Sequence, residues 1–119
     1  MSARGTVVYG IKNCDTMKKA RAWLDAHGVV YAFHDYKTDG IDKATLAGWA
    51  KDVGWETLLN RAGTTFRKLD DTDKVDLTEA KALKLMRDQP SMIKRPVVDN
   101  GGKLLVGFKP ADFAKAFAK

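Results

Sequence analysis

Runs of β-branched and aromatic residues occur only near the two ends of this chain, and the roughly fifty residues between them read as helix and turn throughout. Any sheet must therefore be assembled from the ends, with the middle as a helical excursion. Thr6-Val7-Val8-Tyr9, ending at Gly10, has the composition of a buried first strand. After the loop Ile11-Lys12-Asn13-Cys14, the residues Met17, Ala20, Trp23 and Leu24 recur at helical spacing. They predict an amphipathic helix over about 16–27, with Asp15-Thr16 as its cap and Gly28 as its stop. Val29 to Asp35 predicts a second strand, and strand, helix and strand in about 30 residues make a βαβ unit, parallel and right-handed by default.

In the middle block, about 42–92, Asp42 is placed to cap a helix carrying Leu46, Trp49, Ala50 and Val53. A broken helical stretch with Leu58, Leu59, Phe66 and Leu69 follows Gly54, and Thr78 to Arg87 reads as another helix. Strand character returns after Pro90. Pro96-Val97-Val98-Asp99, the turn Asn100-Gly101-Gly102 and Lys103 to Gly107 carry a hairpin signal. Pro110 then opens a last helix whose buried face is expected to hold Phe113, Ala114 and Phe117. The order βαβ, helices, ββα implies one α/β domain over 1–119, a mixed four-stranded sheet with a helical insertion; there is no repeat, low-complexity tract or linker.

A chain of 119 residues, 45% hydrophobic, buries roughly two thirds of its unfolded surface and needs no staple to hold a core. It has one cysteine, Cys14, which excludes a disulfide scaffold, a Cys-rich zinc site and a CxxC redox pair. No metal site and no bound cofactor are expected. The net charge of +6 is concentrated late: Lys/Arg against Asp/Glu number six to four over 1–40, six to eight over 41–80 and nine to three over 81–119. Those charges stand singly among apolar residues, without the runs or aromatic interleaving of a nucleic-acid surface, so an anionic small substrate is the expected partner rather than nucleic acid. No apolar stretch approaches the ~20 residues of a membrane span, and MSARGTVVYG lacks the apolar core of a signal peptide, so a cytoplasmic protein is expected.

Cys14 falls where a strand hands over to a helix N-terminus, and the unpaired amides and dipole of that end favour a thiolate. Lys12, Lys18 and Lys19 add positive charge. The alternative, a small apolar residue at the edge of the core, fits the polar setting Lys-Asn-Cys-Asp poorly. Pro96 stands at the start of a strand, where it is either an ordinary trans proline or part of a cis Arg95-Pro96 bond that would present backbone groups to a peptide-like ligand. Arg61, Arg67 and Arg95 are each either solvated charges or, if they converge on a thiolate, an anion site. His27 and His34 have no metal-like spacing and read as structural.

The early Cys after a strand, the segment Leu58-Leu59-Asn60-Arg61-Ala62-Gly63-Thr64-Thr65-Phe66-Arg67-Lys68-Leu69, and Met92-Ile93-Lys94-Arg95-Pro96-Val97-Val98 together resemble the arsenate reductase ArsC/Spx family. Within it the chain is most similar to the small YffB-type thiol reductases. The resemblance implies a thioredoxin-like (glutaredoxin-like) fold, Cys14 as nucleophile, Arg95 as the arginine of an xRP motif and a cis Pro96. It also implies glutathione as co-substrate, held by Lys12, Asn13, Lys18, Arg61, Arg95 and the backbone at Pro96, since a chain with one Cys needs an external thiol to resolve its adduct. Glutaredoxin is a further expected partner, and a monomer is the expected state. The chain departs from the family's arsenate reductases, which carry His at the position of Gly10 and Arg at that of Lys18, and whose first substrate arginine falls on Asn60. It departs from Spx regulators, which carry a second Cys at the position of Met17. Arsenate reduction proper, or a non-catalytic regulator of the Spx kind binding RNA polymerase, are the alternatives.

Overall fold

The computed structural model describes residues 6–12 and 14–117. In chain order the elements are β1 (Thr6–Gly10), α1 (Asp15–Ala26), β2 (Tyr31–Asp35), α2 (Tyr36–Asp39), α3 (Lys43–Val53), α4 (Trp55–Leu58), α5 (Thr64–Arg67), α6 (Asp71–Lys74) and α7 (Glu79–Asp88). A 3-10 turn at Pro90–Met92 leads to β3 (Val97–Asn100), β4 (Lys103–Val106) and α8 (Pro110–Ala116). Two units emerge, one of Met1–Tyr36 with Arg95–Lys119 and one of Lys37–Lys94.

The first unit is the sheet with its helices. Strand order is β2-β1-β3-β4, with β1 parallel to β2 and antiparallel to β3, and β4 antiparallel to β3. A parallel βαβ followed by a hairpin and a helix on one mixed four-stranded sheet is a thioredoxin-like fold. Alternation along β1 turns Thr6, Val8 and Gly10 inward. Val8 meets Met17, Ala20 and Leu24 of α1, Val98 of β3 and Phe113 of α8, all fully buried. Burial stabilises by roughly 1.5–3 kcal/mol for each large side chain in that cluster.

Three local expectations are corrected. β2 begins at Tyr31 rather than Val29, because Gly28 turns left-handed (φ 69°) and the Val29 amide donates to the Leu24 carbonyl at 2.9 Å, closing the end of α1. Val30 is left 89% exposed. In the hairpin, Asn100 pairs with Lys103, so the turn is Gly101-Gly102, both with positive φ, as a two-residue turn of this hand requires. Asn100 stays in the strand and its Oδ1 accepts from the Thr6 hydroxyl at 3.0 Å. On α8 only Phe113 is buried; Phe117 is half-buried and Ala114 faces solvent.

The second unit is helical. The Asp42 carboxylate accepts from the Thr45 amide at 2.7 Å, capping α3 as expected, and the Thr78 hydroxyl accepts from the Lys81 amide at 3.2 Å, capping α7. α3 buries Leu46, Trp49 and Ala50; α7 buries Ala82 and Met86. The broken stretch resolves into α4, α5 and α6 of four residues each. The strand pattern of the sequence does not extend to Leu59 and Ile93, yet these two buried residues form an isolated antiparallel bridge. Beside it the Asn60 amide donates to Met92 O (2.7 Å) and the Lys94 amide to Leu58 O (2.8 Å). Among the described residues no helix is long and apolar enough to cross a membrane.

Candidate functional site

The site is built where β1 ends and α1 begins. Cys14, partly exposed, is itself the N-cap of α1, with extended backbone (φ −115°, ψ 133°), so Asp15-Thr16 are the first helical residues and not the cap. Its thiol closes no side-chain cap hydrogen bond. The second and third amides of the helix, on Thr16 and Met17, have no intrahelical acceptor and favour a negative sulfur instead.

Arg95 completes the arrangement. Partial burial pushes the Cys14 thiol up, but the Met17 amide, a hydrogen bond from the Arg95 side chain, the Thr16 amide and the Arg95 charge together pull it below the range of a free thiol. The expected stabilisation of the thiolate by lysines is corrected here. Lys12 and Lys18 are exposed, and the charge that acts on the sulfur is Arg95, from the far end of the sequence. Solvent screens the ammonium groups, whereas the guanidinium is hydrogen-bonded to the sulfur.

The Arg95-Pro96 bond is cis. Pro96 is buried, has no N–H, and its carbonyl accepts from the Gly107 amide at 2.8 Å. A peptide ligand therefore finds no donor on Pro96 and an acceptor already engaged by the chain after β4. Arg61 belongs to the second unit, exposed in the turn after α4, with its guanidinium 6.0 Å from the centre of the Trp55 ring. Arg67 lies at the end of α5 in the same unit. Asn13 lies outside the described residues.

Two contributors went unmarked in the residue pattern. The amides of Thr16 and Met17 follow once Cys14 is recognised as occupying a cap position. Tyr36 carries no comparable signal: its ring is buried, its hydroxyl finds no hydrogen-bond partner among the described residues, and burial with help from Tyr9 pushes its ionisation far up while Arg95 pulls the other way. It stays a phenol. His34 packs on Tyr9 at 4.9 Å between ring centres, and His27 stacks on Trp23 at 3.7 Å while its Nδ1 lies 2.8 Å from Trp23 O. Among the described residues no group of three or more His, Cys, Asp or Glu could hold a metal ion.

Comparison with known proteins gives this geometry its setting. A protein of Haemophilus influenzae with no assigned function is 43% identical over 111 residues, covering 93% of this chain and 97% of that one. The global transcriptional regulator Spx of Streptococcus mutans is 30% identical over 108 residues, covering 88% of this chain and 77% of the regulator. A solved YffB protein superposes with a TM-score of 0.92 at 65% identity, over 95% of this chain and 99% of that one. The solution structure of an arsenate reductase (ArsC) related protein from Brucella melitensis superposes with a TM-score of 0.78 at 55% identity, over 100% and 99% of the two chains. The pattern of the ArsC family matches residues 9–116, and with the solitary cysteine and its arginine in place, the chain belongs to the ArsC family.

Proposed function

We propose that this protein is a glutathione-dependent thiol reductase in which Cys14 is the nucleophile. The observation that carries the reading is the convergence of the α1 amides and the Arg95 guanidinium on the Cys14 sulfur. A lowered thiol ionisation raises the thiolate fraction and makes Cys14 the better leaving group when it is displaced. The Cys14 thiolate attacks the glutathione sulfur of a mixed disulfide; the S–S bond breaks, and the other half leaves as a thiolate that takes a proton from water. A second glutathione thiolate then attacks the glutathione sulfur of the Cys14 adduct, releasing oxidised glutathione and restoring the Cys14 thiolate. The chain has no second cysteine to do this.

Arg95 serves twice, stabilising the sulfur and attracting a glutathione carboxylate or a substrate anion through its guanidinium charge. Lys12, Asn13, Lys18 and Arg61 are the proposed further contacts of glutathione, with Pro96 contributing shape rather than hydrogen bonds. Glutaredoxin is the proposed protein partner if the adduct is resolved indirectly. The test is reduction of a small glutathione mixed disulfide, coupled to glutathione reductase. Turnover by the wild type and none by Cys14→Ser is the expected result; equal rates in the two contradict the proposal.

A second reading is a regulator that binds without turnover, supported by the 30% identity to Spx. Against it stands Met17 at the position of the second switch cysteine. Capture of RNA polymerase by wild type and Cys14→Ser alike, with no disulfide exchange by either, would favour it. Arsenate as the substrate anion is tested in the same coupled assay.

A further inference from the structure

The helical unit contains a groove that the thiol chemistry does not use. α3 and α7 turn Leu46, Trp49, Ala50, Ala82 and Met86 inward, and the faces beside those buried residues leave a trough of about 390 Å³ between the two helices. Its floor is apolar: buried Leu46, half-buried Leu83, and Ala47 and Ala80, whose small exposed side chains leave the space open. Its rim carries three cations, Lys43, Lys84 and Arg87, against one carboxylate, Glu79.

We propose that this groove docks an acidic amphipathic helix of a protein partner. On α7 the trough is edged by Ala80, Leu83 with Lys84, and Arg87, spaced i, i+3/i+4, i+7, which is about 10 Å of helix axis. That is two turns, the length over which a partner helix presents anchors at the same spacing. The floor takes its apolar anchors, and the cationic rim meets carboxylates flanking them. Lys84 is tied to Asp88 at 2.9 Å, but both side chains are exposed (72% and 52%), so the pair is weak and the ammonium can be redirected. A nucleic acid fits less well. The cations border an apolar trough instead of forming a track, Glu79 stands among them, and among the described residues no aromatic ring lines the groove for a base to stack on.

The test uses the full-length, isotope-labelled protein and two synthetic amphipathic helices of about four turns. They share one Leu/Ala face, and one carries Glu and the other Lys on the polar face. The Glu peptide should shift the amides of Ala47, Ala80 and Leu83 saturably and bind more weakly as salt rises. The double variant Lys43→Glu/Arg87→Glu should weaken it about tenfold, as two rim pairs would. Ala80→Glu, which fills the trough from an exposed position, should abolish the shifts while the rest of the amide spectrum stays unchanged. Several results would overturn the proposal: no saturable shift, equal binding of the Lys peptide, unaltered binding by Ala80→Glu, stronger shifts of the same amides by an RNA oligonucleotide, or shifts on simple dilution that reveal a second copy of the chain as the occupant.

Discussion

Met17 occupies the space that a side chain on Gly10 would need. A Cβ built on Gly10 would lie 2.6 Å from Met17 Cε and closer still to Sδ, and because Met17 is fully buried its thioether end would have to repack within the core. The two residues flank Cys14 in sequence, so the packing that joins the end of β1 to the first turn of α1 also fixes the cap position of Cys14.

Gly10→Ala should therefore destabilise the protein by about 1–3 kcal/mol through overpacking. Shortening the partner should relieve it. Chemical denaturation of Gly10→Ala, Met17→Ala and the double variant forms the cycle, and the expected outcome is a double variant less destabilised than the sum of the singles. Additive losses would mean that the two side chains do not compete for one volume. The same geometry disfavours any larger side chain, histidine included, at position 10.

A lowered thiol ionisation in the folded state has a consequence for stability. Between that value and the ~8.5 of an unfolded cysteine, the native protein has released its proton while the unfolded chain holds it, so stability rises with pH through the window and is lost as pH falls through the folded value. Denaturation of wild type and Cys14→Ser across pH 5–9 isolates the effect. The wild type should gain on the variant as pH rises; parallel curves would show that Cys14 ionises alike in both states.

The helical unit depends on its caps. Thr78→Ala removes the hydroxyl that accepts from the Lys81 amide, and Asp42→Ala the carboxylate that accepts from the Thr45 amide. Each should cost about 1 kcal/mol, lowering Tm by roughly 3–6 °C, while exchange chemistry at Cys14 is unchanged. Thr78→Ser and Asp42→Asn each keep an acceptor at the cap, and in thermal melts they should retain most of the stability that the alanine variants lose. Melts in which the conservative variants fall as far as the alanine ones would show that the caps do not hold these helices.

Local patterns carried the architecture. Val8, Met17, Ala20, Leu24 and Phe113 occupy the positions that strand alternation and helical spacing assign to a core, and Asp42 caps the helix its chemistry predicts. The departures are those in which a non-local or backbone term decided. Val29 and Val30 have strand propensity, yet the left-handed Gly28 and the Val29–Leu24 hydrogen bond claim them for the end of α1. Asn100 suits a turn, yet pairing with Lys103 and a bond from Thr6 hold it in β3. The single rung between Leu59 and Ile93 joins residues too far apart in sequence for any window to link. At the site, the place of Cys14 where β1 hands over to α1 was legible from the strand and helix patterns on either side of it. Its main partners were not: Lys12 and Lys18 are near in sequence but exposed, while Arg95 arrives through the sheet pairing that brings β3 beside β1.

Arg95 and the end of α1 together favour the Cys14 thiolate, and the rate of Cys14 alkylation against pH tests this most directly. The wild-type midpoint should lie below the ~8.5 of a free thiol, and Arg95→Gln should move it upward without removing the share due to the Thr16 and Met17 amides. A wild-type midpoint at or above the ~8.5 of a free thiol, or an Arg95→Gln profile superimposable on the wild type, would contradict the account.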